Sequence, residues 1–271
     1  MRTIPTAVLA ALVLAACAGR NNGIQSPTAP TGGWTLAWSD EFERPGLPDA
    51  ARWDYEEGLI RNQELQYYTR ARMENARVEN GSLVIEARRE DFGGARYTAA
   101  SLVTRGRESI LYGKVEIRAR LPRGRGMWPA LWMLGEDIAT VGWPRCGEID
   151  IMEHVGFEPG RVHGTVHTEA YNHVRGTQRG SQIDVGDLYD TFRVYSVEWR
   201  PDRIEFFVDG RPYFTFTKEG PSPAVWPFDR PHYLIMTIAV GGSWGGQQGV
   251  DDSVFPQRMT IDYVRVYRGL S

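Results

Sequence analysis

The chain has 271 residues, with 31 lysines and arginines, 34 aspartates and glutamates and a formal net charge of -3. Acidic and basic residues are interspersed and no basic tract occurs, which argues against nucleic acid as a partner. Only two cysteines are present, and no cysteine–histidine spacing typical of a zinc site occurs.

The first sixteen residues predict an export signal. A basic Arg2 is followed by an apolar stretch of about twelve residues, which is too short to span a bilayer. The stretch ends in Leu14-Ala15-Ala16-Cys17, which resembles a bacterial lipobox and implies cleavage before Cys17 and lipidation of its thiol. The alternative is an ordinary secretory signal cut after Ala16. We expect the protein to be exported and held at a bacterial membrane, at the outer membrane or cell surface, only by this lipid anchor.

Residues 17–33 are rich in Asn, Gly, Pro, Ser and Thr, which predicts a flexible tether. Residues 34–271 have the length of one large β domain, which we expect to be monomeric. If Cys17 is lipidated, Cys146 has no disulfide partner. Cys146 lies two residues before Glu148 in the sequence. We interpret it as a small packing residue, because no base that could activate its thiol is identifiable.

Short segments of alternating, β-branched and aromatic residues recur along the chain, broken by Gly, Pro, Asn and Asp. Neither a long amphipathic helix nor a repeat of fixed period is visible, so the pattern indicates an all-β sandwich or barrel. Asp209-Gly210 predicts a tight hairpin turn between two of the strands. The predicted strands include residues 82–87, 113–120, 162–167, 192–199, 203–208 and 259–267.

Three carboxylates stand in the otherwise apolar sequence Glu-Ile-Asp-Ile-Met-Glu, which begins at Glu148. Side chains alternate along a strand, so Glu148 and Asp150 share a face and Glu153 is out of phase. A β-bulge at Ile151 or Met152 would return Glu153 to the same face, and bulges are common beside active sites. The alternative interpretation is a strand whose acidic face is simply solvated.

Carboxylates this close cannot all ionise comfortably at neutral pH, so at least one carboxyl pKa should be raised. An ionised carboxylate beside a protonated one is what a glycosidase needs: the first attacks the anomeric carbon and the second protonates the departing oxygen. In the retaining mechanism the two groups are about 5–5.5 Å apart. The spacing of Glu148 and Glu153 permits retention without proving it.

Several segments resemble glycoside hydrolase family 16, particularly its bacterial laminarinase-like endo-β-1,3-glucanases, from about Trp34 to the C-terminus. The resemblance implies a β-jelly-roll sandwich of two antiparallel sheets with an open concave cleft. It also implies retaining endo-hydrolysis of β-1,3-glucosidic bonds in laminarin-like β-glucans, with no cofactor required for the chemistry. The motifs that carry it are Trp38-Ser39-Asp40-Glu41-Phe42, Asn62-Gln63-Glu64-Leu65-Gln66-Tyr67-Tyr68-Thr69, Gly126-Met127-Trp128-Pro129-Ala130-Leu131-Trp132-Met133-Leu134, Gly147-Glu148-Ile149-Asp150-Ile151-Met152-Glu153, His163-Gly164-Thr165-Val166-His167 and Asp262-Tyr263-Val264-Arg265-Val266-Tyr267.

The resemblance assigns catalytic roles to the three acids. It implies that Glu148 is the nucleophile, that Glu153 is the general acid/base and that Asp150 tunes both by hydrogen bonding between them. Met152 resembles the bulged residue of the laminarinase-like branch. Mixed-linkage lichenases lack this residue and carry Glu-x-Asp-x-Glu, which argues against a strict lichenase.

The resemblance also implies substrate-binding residues. Tryptophans would stack on pyranose rings, with core packing as the alternative for each of them. Polar side chains would contact sugar hydroxyls, with a surface charge as the alternative for Arg105, and His167 would make its contact near Glu153. The residues implied are Trp128, Trp132, Trp143, Asn62, Arg105 and His167.

Many members of the family carry a structural calcium away from the cleft. Its ligands correspond to Glu41, the backbone carbonyl of Gly81 and Asp262, and hard oxygen ligands suit Ca²⁺. The sequence alone would not group these residues, because they are far apart in the chain.

Several functional interpretations compete. The first is an endo-β-1,3-glucanase, and the second is a β-glucan-binding protein without catalysis, against which the presence of both Glu148 and Glu153 argues. A third keeps the hydrolase but changes the substrate to mixed-linkage glucan, agar, carrageenan or another wall polymer. A fourth is a transglycosylase, because a sugar can replace water in the second step of a retaining mechanism.

Overall fold

The computed structural model describes residues 33–269. The predicted export signal, Cys17 and all of the tether except Gly33 lie outside the described residues. Within the described range, no helix has the length and apolar character needed to cross a membrane. The first strand starts at Trp34, where the sequence predicted the β domain to begin.

Two β-sheets of ten and seven strands contain nearly all of the regular structure. The ten-stranded sheet consists of β1 (Trp34–Asp40), β3 (Gln66–Tyr68), β4 (Ala76–Glu79), β5 (Ser82–Phe92), β6 (Ala95–Ala99), β8 (Gly113–Arg120), β13 (Arg193–Trp199), β14 (Arg203–Val208), β15 (Arg211–Thr217) and β17 (Gln257–Gly269). The seven-stranded sheet consists of β2 (Asp54–Glu56), β7 (Ser101–Val103), β9 (Met127–Gly135), β10 (Glu148–Glu153), β11 (Arg161–His167), β12 (Arg179–Asp184) and β16 (His232–Val240). The helical segments are α1 (Ile138–Val141) and two 3₁₀ turns, His173–Arg175 and Asp252–Val254.

The main core lies between the two sheets. Strand β8 shows why the sequence folds this way, because Val115, Ile117 and Ala119 are buried in the core while the residues between them are partly exposed. Strand β16, in contrast, is buried along its whole length. Its residues on one face join the main core, whereas Tyr233 and Ile235 join a second apolar cluster on the other face.

The predicted strands are all present, and the all-β sandwich is confirmed. The predicted hairpin turn joins β14 to β15, with Asp209 and Gly210 at φ 50° and 74°, the left-handed values that a two-residue hairpin requires. One pairing departs from two purely antiparallel sheets, because β3 runs parallel to β6. These strands are connected through β4 and β5 rather than by a tight turn, so their relative direction is not restricted.

The predicted bulge is confirmed in β10. On one side Asp150 pairs with Trp132 and Met152 with Leu131, so Ile151 is the extra residue. On the other side the register shifts between Asp150 and Glu153. As a result, Ile151 and Met152 together oppose the single residue Gly164 of β11.

Gly164 is expected to be required beneath this bulge. A Cβ at this position would lie 2.9 Å from Cδ1 of Phe206 and closer still to the hydroxyl of Tyr213. Gly164→Ala should therefore lower the free energy of unfolding by about 1–3 kcal/mol through overpacking, as measured by denaturant titration.

Gly220→Ala is the matched control, since a Cβ there meets nothing within 4 Å and should change stability by less than about 0.5 kcal/mol. Adding Tyr213→Phe to Gly164→Ala should restore part of the loss, because it removes the hydroxyl that clashes. Equal stabilities of Gly164→Ala and Gly220→Ala would contradict the close packing.

Candidate active site

The three acids of β10 line a cleft of about 920 Å³ on the face of the seven-stranded sheet that points away from the main core. Ile151 and Met152 both turn into that core and are fully buried. The bulge thereby returns Glu153 to the side that carries Glu148 and Asp150. The sequence-based prediction that all three share one face is confirmed.

Each glutamate receives one indole N–H. Trp143 donates from Nε1 to Oε2 of Glu148 over 2.8 Å, and Trp128 donates from Nε1 to Oε1 of Glu153 over 3.1 Å. These bonds orient the two carboxyl groups and leave the second oxygen of each free of the tryptophans. Trp128 and Trp143 therefore lie at opposite ends of the acidic group.

His167 lies against Asp150 and Glu148. The resemblance placed it near Glu153, but the antiparallel register sets it opposite Glu148, and His163 is the residue opposite Glu153. The Nε2 atom of His167 is 3.3 Å from Oδ2 of Asp150 and 3.6 Å from Oε1 of Glu148. Antiparallel pairing accounts for this position, because the register runs from the pair Glu148–His167 to the pair Glu153–His163.

Burial and mutual repulsion control the protonation of two of the acids. Burial, followed by the negative charge of Glu148 and a hydrogen bond with it, holds the pKa of Asp150 well above its usual value. Burial, followed by the charge of Asp150, likewise raises the pKa of Glu153 well above its usual value, while His167 and the Trp128 N–H act in the opposite direction. The site therefore favours a protonated Glu153 that can act as an acid.

The predicted substrate-binding residues all line the same cleft: Trp128, Trp132, Trp143, Asn62, Arg105 and His167. Trp128 pairs with Ala239 and Trp132 with Ile235 of β16, with no register shift between them. The two tryptophans therefore face the same side, as expected. Asn62 has a left-handed backbone, at φ 55°, and its carbonyl oxygen accepts a hydrogen bond from the Ser243 backbone N–H over 2.8 Å. Arg105 is exposed, with its guanidinium 5.5 Å from the centre of the Tyr233 ring.

Trp132 differs from the other two tryptophans in exposure. Only 7% of it is accessible, and the guanidinium of Arg61 lies 4.8 Å above its ring centre. Arg61 is in turn ion-paired with Glu56. Trp132 thus offers little open face for stacking, and the core-packing alternative describes most of its surface.

Several of the residues that line the cleft were not assigned from the sequence. Trp244 meets the ring of Trp128 edge-on at 5.6 Å and that of His163 at 4.9 Å. His173 packs 4.9 Å from Trp143, on the side of Glu148. An aromatic residue inside the glycine-rich segment 241–246 was a usable signal for Trp244. Arg61 and His173 carried no comparable signal, because loops bring them to the cleft.

Cys146 fits the packing interpretation. It is fully buried and belongs to the apolar cluster beneath the cleft, with Trp132 and Tyr233. Burial, reinforced by the charges of Glu148 and Asp137, raises the pKa of its thiol to about 12, so the reactive thiolate is disfavoured. It lies two residues before the first residue of β10 and so outside the strand.

The residues implied for calcium meet at one corner of the ten-stranded sheet. Strand pairing brings Asp40 opposite Val264 and Ile261 opposite Leu83, which places Glu41, Gly81 and Asp262 in neighbouring segments. Glu41, however, accepts two hydrogen bonds from Arg265, at 2.8 and 2.9 Å, and Asp262 is paired with Arg118 at 2.5 Å.

Because both carboxylates are committed to arginines, this arrangement does not fit a calcium ion. Calcium binding at the corner formed by Glu41, Gly81 and Asp262 stays a prediction from the resemblance, which these pairings do not support.

Comparison with known proteins gives consistent matches. Residues 63–265 match the family model described as Glycosyl hydrolases family 16. A beta-glucanase of Rhodothermus marinus is 59% identical over 245 residues, which cover 87% of this chain and 85% of that protein. The X-ray structure of the laminarinase from Rhodothermus marinus superposes with a TM-score of 0.86 at 57% identity, covering 88% of this chain and 98% of that one.

A third relative was solved with a ligand. It is a variant of SCLam, described as a non-specific endo-beta-1,3(4)-glucanase from family GH16, and it presents a 1,3-beta-D-cellobiosyl-glucose at its active site. It superposes with a TM-score of 0.84 at 48% identity, covering 90% of this chain and 98% of that one.

Proposed function

Because this chain belongs to glycosyl hydrolase family 16, we propose that it cleaves β-1,3-glucosidic bonds inside laminarin-like β-glucans with retention of configuration. The observation that carries the proposal is the pairing of two cleft glutamates, each held by its own tryptophan, with Asp150 between them. The similarity to a beta-glucanase and to a laminarinase supports this substrate class.

The first chemical step uses both glutamates. The Glu148 carboxylate attacks the anomeric carbon and forms a glycosyl ester, while protonated Glu153 gives its proton to the departing glycosidic oxygen. Asp150 carries a proton more readily than an ordinary aspartate, and it lies against Glu148. We assign it the role of holding Glu148 by a hydrogen bond whose strength changes as that carboxylate loses its charge.

The second step reverses the role of Glu153. Its carboxylate, now deprotonated, takes a proton from water as the water oxygen attacks the anomeric carbon and the ester bond to Glu148 breaks. The proton returns to Glu153 and the free Glu148 carboxylate is restored, so the enzyme ends as it began. A sugar hydroxyl in place of water would give transglycosylation by the same route.

The extent of the cleft supports internal cleavage. Its lining residues come from β11 on one side to Glu56 of β2 on the other. Five strand spacings separate β11 from β2 in the sheet, and at ~4.8 Å each they give a path of roughly 24 Å. Such a path accommodates several sugar rings along the cleft.

Incubation of the protein with laminarin, curdlan, lichenan, agarose and carboxymethylcellulose tests the proposal. Ladders of oligosaccharides of many sizes from laminarin and curdlan are expected, because an endo-acting enzyme cuts at internal bonds. A second candidate, wider action on mixed-linkage glucan, is favoured by the similarity to the non-specific endo-beta-1,3(4)-glucanase, and lichenan products would reveal it. Products from agarose alone would contradict both candidates.

The matched pair Glu148→Gln and Glu153→Ala separates the two roles. Glu148→Gln should lower kcat by more than about 10⁴-fold and leave laminarin binding nearly intact, since it removes the nucleophile but keeps the shape. Glu153→Ala should recover activity with azide and yield a β-glycosyl azide, because azide replaces the base-assisted water. An α-glycosyl azide from that variant would overturn the assignment.

The hydrogen bond from Trp128 to Glu153 should set the alkaline limb of the pH profile. This bond favours the charged form of Glu153 and so lowers its pKa. Trp128→Phe keeps an aromatic face but removes the N–H, so the Glu153 pKa should rise and the alkaline limb of kcat/KM should move to higher pH. Trp143→Phe is the matched control, because it removes the N–H on Glu148 and should lower kcat without moving that limb. An unmoved limb in Trp128→Phe would contradict the role of the bond.

We also propose that the protein is exported and anchored by a lipid on Cys17, with the catalytic domain held beside the membrane by the tether. Support comes from the lipobox-like sequence Leu14-Ala15-Ala16-Cys17. Cys17→Ser should release the protein from the membrane fraction of a bacterial host, as measured by fractionation and immunoblotting. Retention of the serine variant in the membrane would refute the anchor, and Cys146→Ser is the matched control that should stay bound.

A further inference from the structure

Three side chains of the cleft bring possible metal-ligand atoms close together. Glu148, Asp150 and His167 each offer one such atom, and these atoms lie within 4.8 Å of one another. Among residues 33–269, this is the one group of three or more His, Cys, Asp or Glu side chains with that property. Two of the three are nearly inaccessible, with Asp150 exposed by 3% and His167 by 5%.

Two of the three distances between the ligand atoms fit a small tetrahedral ion. Zinc binds imidazole nitrogen and carboxylate oxygen at about 2.0–2.2 Å, so ligand atoms around a tetrahedral zinc lie about 3.3–3.6 Å apart. The Nε2 atom of His167 is 3.3 Å from Oδ2 of Asp150 and 3.6 Å from Oε1 of Glu148. Both edges that join the histidine to a carboxylate therefore have the length that such an ion requires.

The central oxygen of the group has no other partner. Oδ2 of Asp150 is buried and takes part in no hydrogen bond, although Nε2 of His167 is within 3.3 Å. A buried carboxylate oxygen without a donor is costly. The ring of His167 is held in place by packing against Trp143 and His173, with centres 6.0 and 5.1 Å away. The surrounding side chains thus hold the His167 ring beside the two carboxylates.

We propose that Glu148, Asp150 and His167 form a binding site for a divalent transition-metal ion of the zinc class, with water from the cleft as the fourth ligand. The donor set of one imidazole and two carboxylates suits Zn²⁺, Co²⁺ or Cu²⁺, whereas Ca²⁺ and Mg²⁺ prefer oxygen ligands alone.

Metal binding at this site would switch off catalysis in the cleft. An ion there neutralises Glu148 and occupies the space beside it, so substrate and metal exclude one another. This consequence rests on the proposed function, but the metal site itself does not. A chelator reverses the state, because no covalent bond is formed.

Metal binding to the full-length protein tests the site in the absence of any substrate. Calorimetric titration with ZnCl₂ should show one site that is lost in His167→Gln, with affinity reduced by more than about 100-fold, since even outer-shell partners of metal ligands contribute 10–100-fold. Titration with Co²⁺ should give the intense visible absorption of tetrahedral coordination. His163→Gln is the matched control: it lies on the same strand, four residues away and opposite Glu153, and should leave the affinity unchanged.

Asp150→Asn provides a second ligand variant, and the melting temperature of each variant shows whether it is folded. A folded His167→Gln or Asp150→Asn that binds Zn²⁺ as tightly as the unaltered protein overturns the proposal. So does an equal loss in His163→Gln, or no binding by the unaltered protein at millimolar zinc. If the unaltered protein binds Zn²⁺ but cleaves no glucan in the absence of metal, the result counts against the proposed function and not against the metal site.

Discussion

One extra residue in strand β10 determines the chemistry of this molecule. Without the bulge, strict alternation would send Glu153 into the core and Met152 into the cleft. With it, Ile149, Ile151 and Met152 are buried in the main core and all three acids face outward. Gly164 of the neighbouring strand lies opposite the bulge, and Phe206 and Tyr213 leave no room for a side chain there. A local departure from regular pairing is thus supported by packing on the opposite face of the sheet.

The acids are held in an arrangement that electrostatics alone would disfavour. Three carboxyl groups on one short strand repel one another when ionised, and burial adds to the cost for Asp150 and Glu153. Protonation and neutral hydrogen-bond donors reduce this cost, rather than a lysine or arginine next to the acids. Trp143 and Trp128 each donate an indole N–H to one glutamate. A neutral donor orients a carboxyl group without fixing its charge, and a group that must alternate between acid and base needs that freedom.

The sequence predicted those parts of the structure that follow from local periodicity. The strands, the turn at Asp209-Gly210 and the bulge all appear in the side-chain pattern, because each depends on residues that are adjacent in the chain. The resemblance supplied the residues that gather in the cleft. It did not predict which acid His167 faces, because that depends on the register between two strands joined by a loop. It also missed the guanidinium of Arg61 above Trp132, since the approach of a loop residue to a distant strand leaves no trace in periodicity.

The two ends of the acidic group are chemically different. Beside Glu148 stand Trp143, His167 and His173, whereas Trp128, His163 and Trp244 stand beside Glu153. A polysaccharide also has two unlike ends, one reducing and one non-reducing, so only one orientation sets an anomeric carbon against the nucleophile and a leaving oxygen against the acid. The unlike surroundings of Glu148 and Glu153 thereby impose a polarity on any polysaccharide chain that lies across the cleft. On a fibre or wall whose chains run in a common direction, that polarity would fix how the whole enzyme must face the surface.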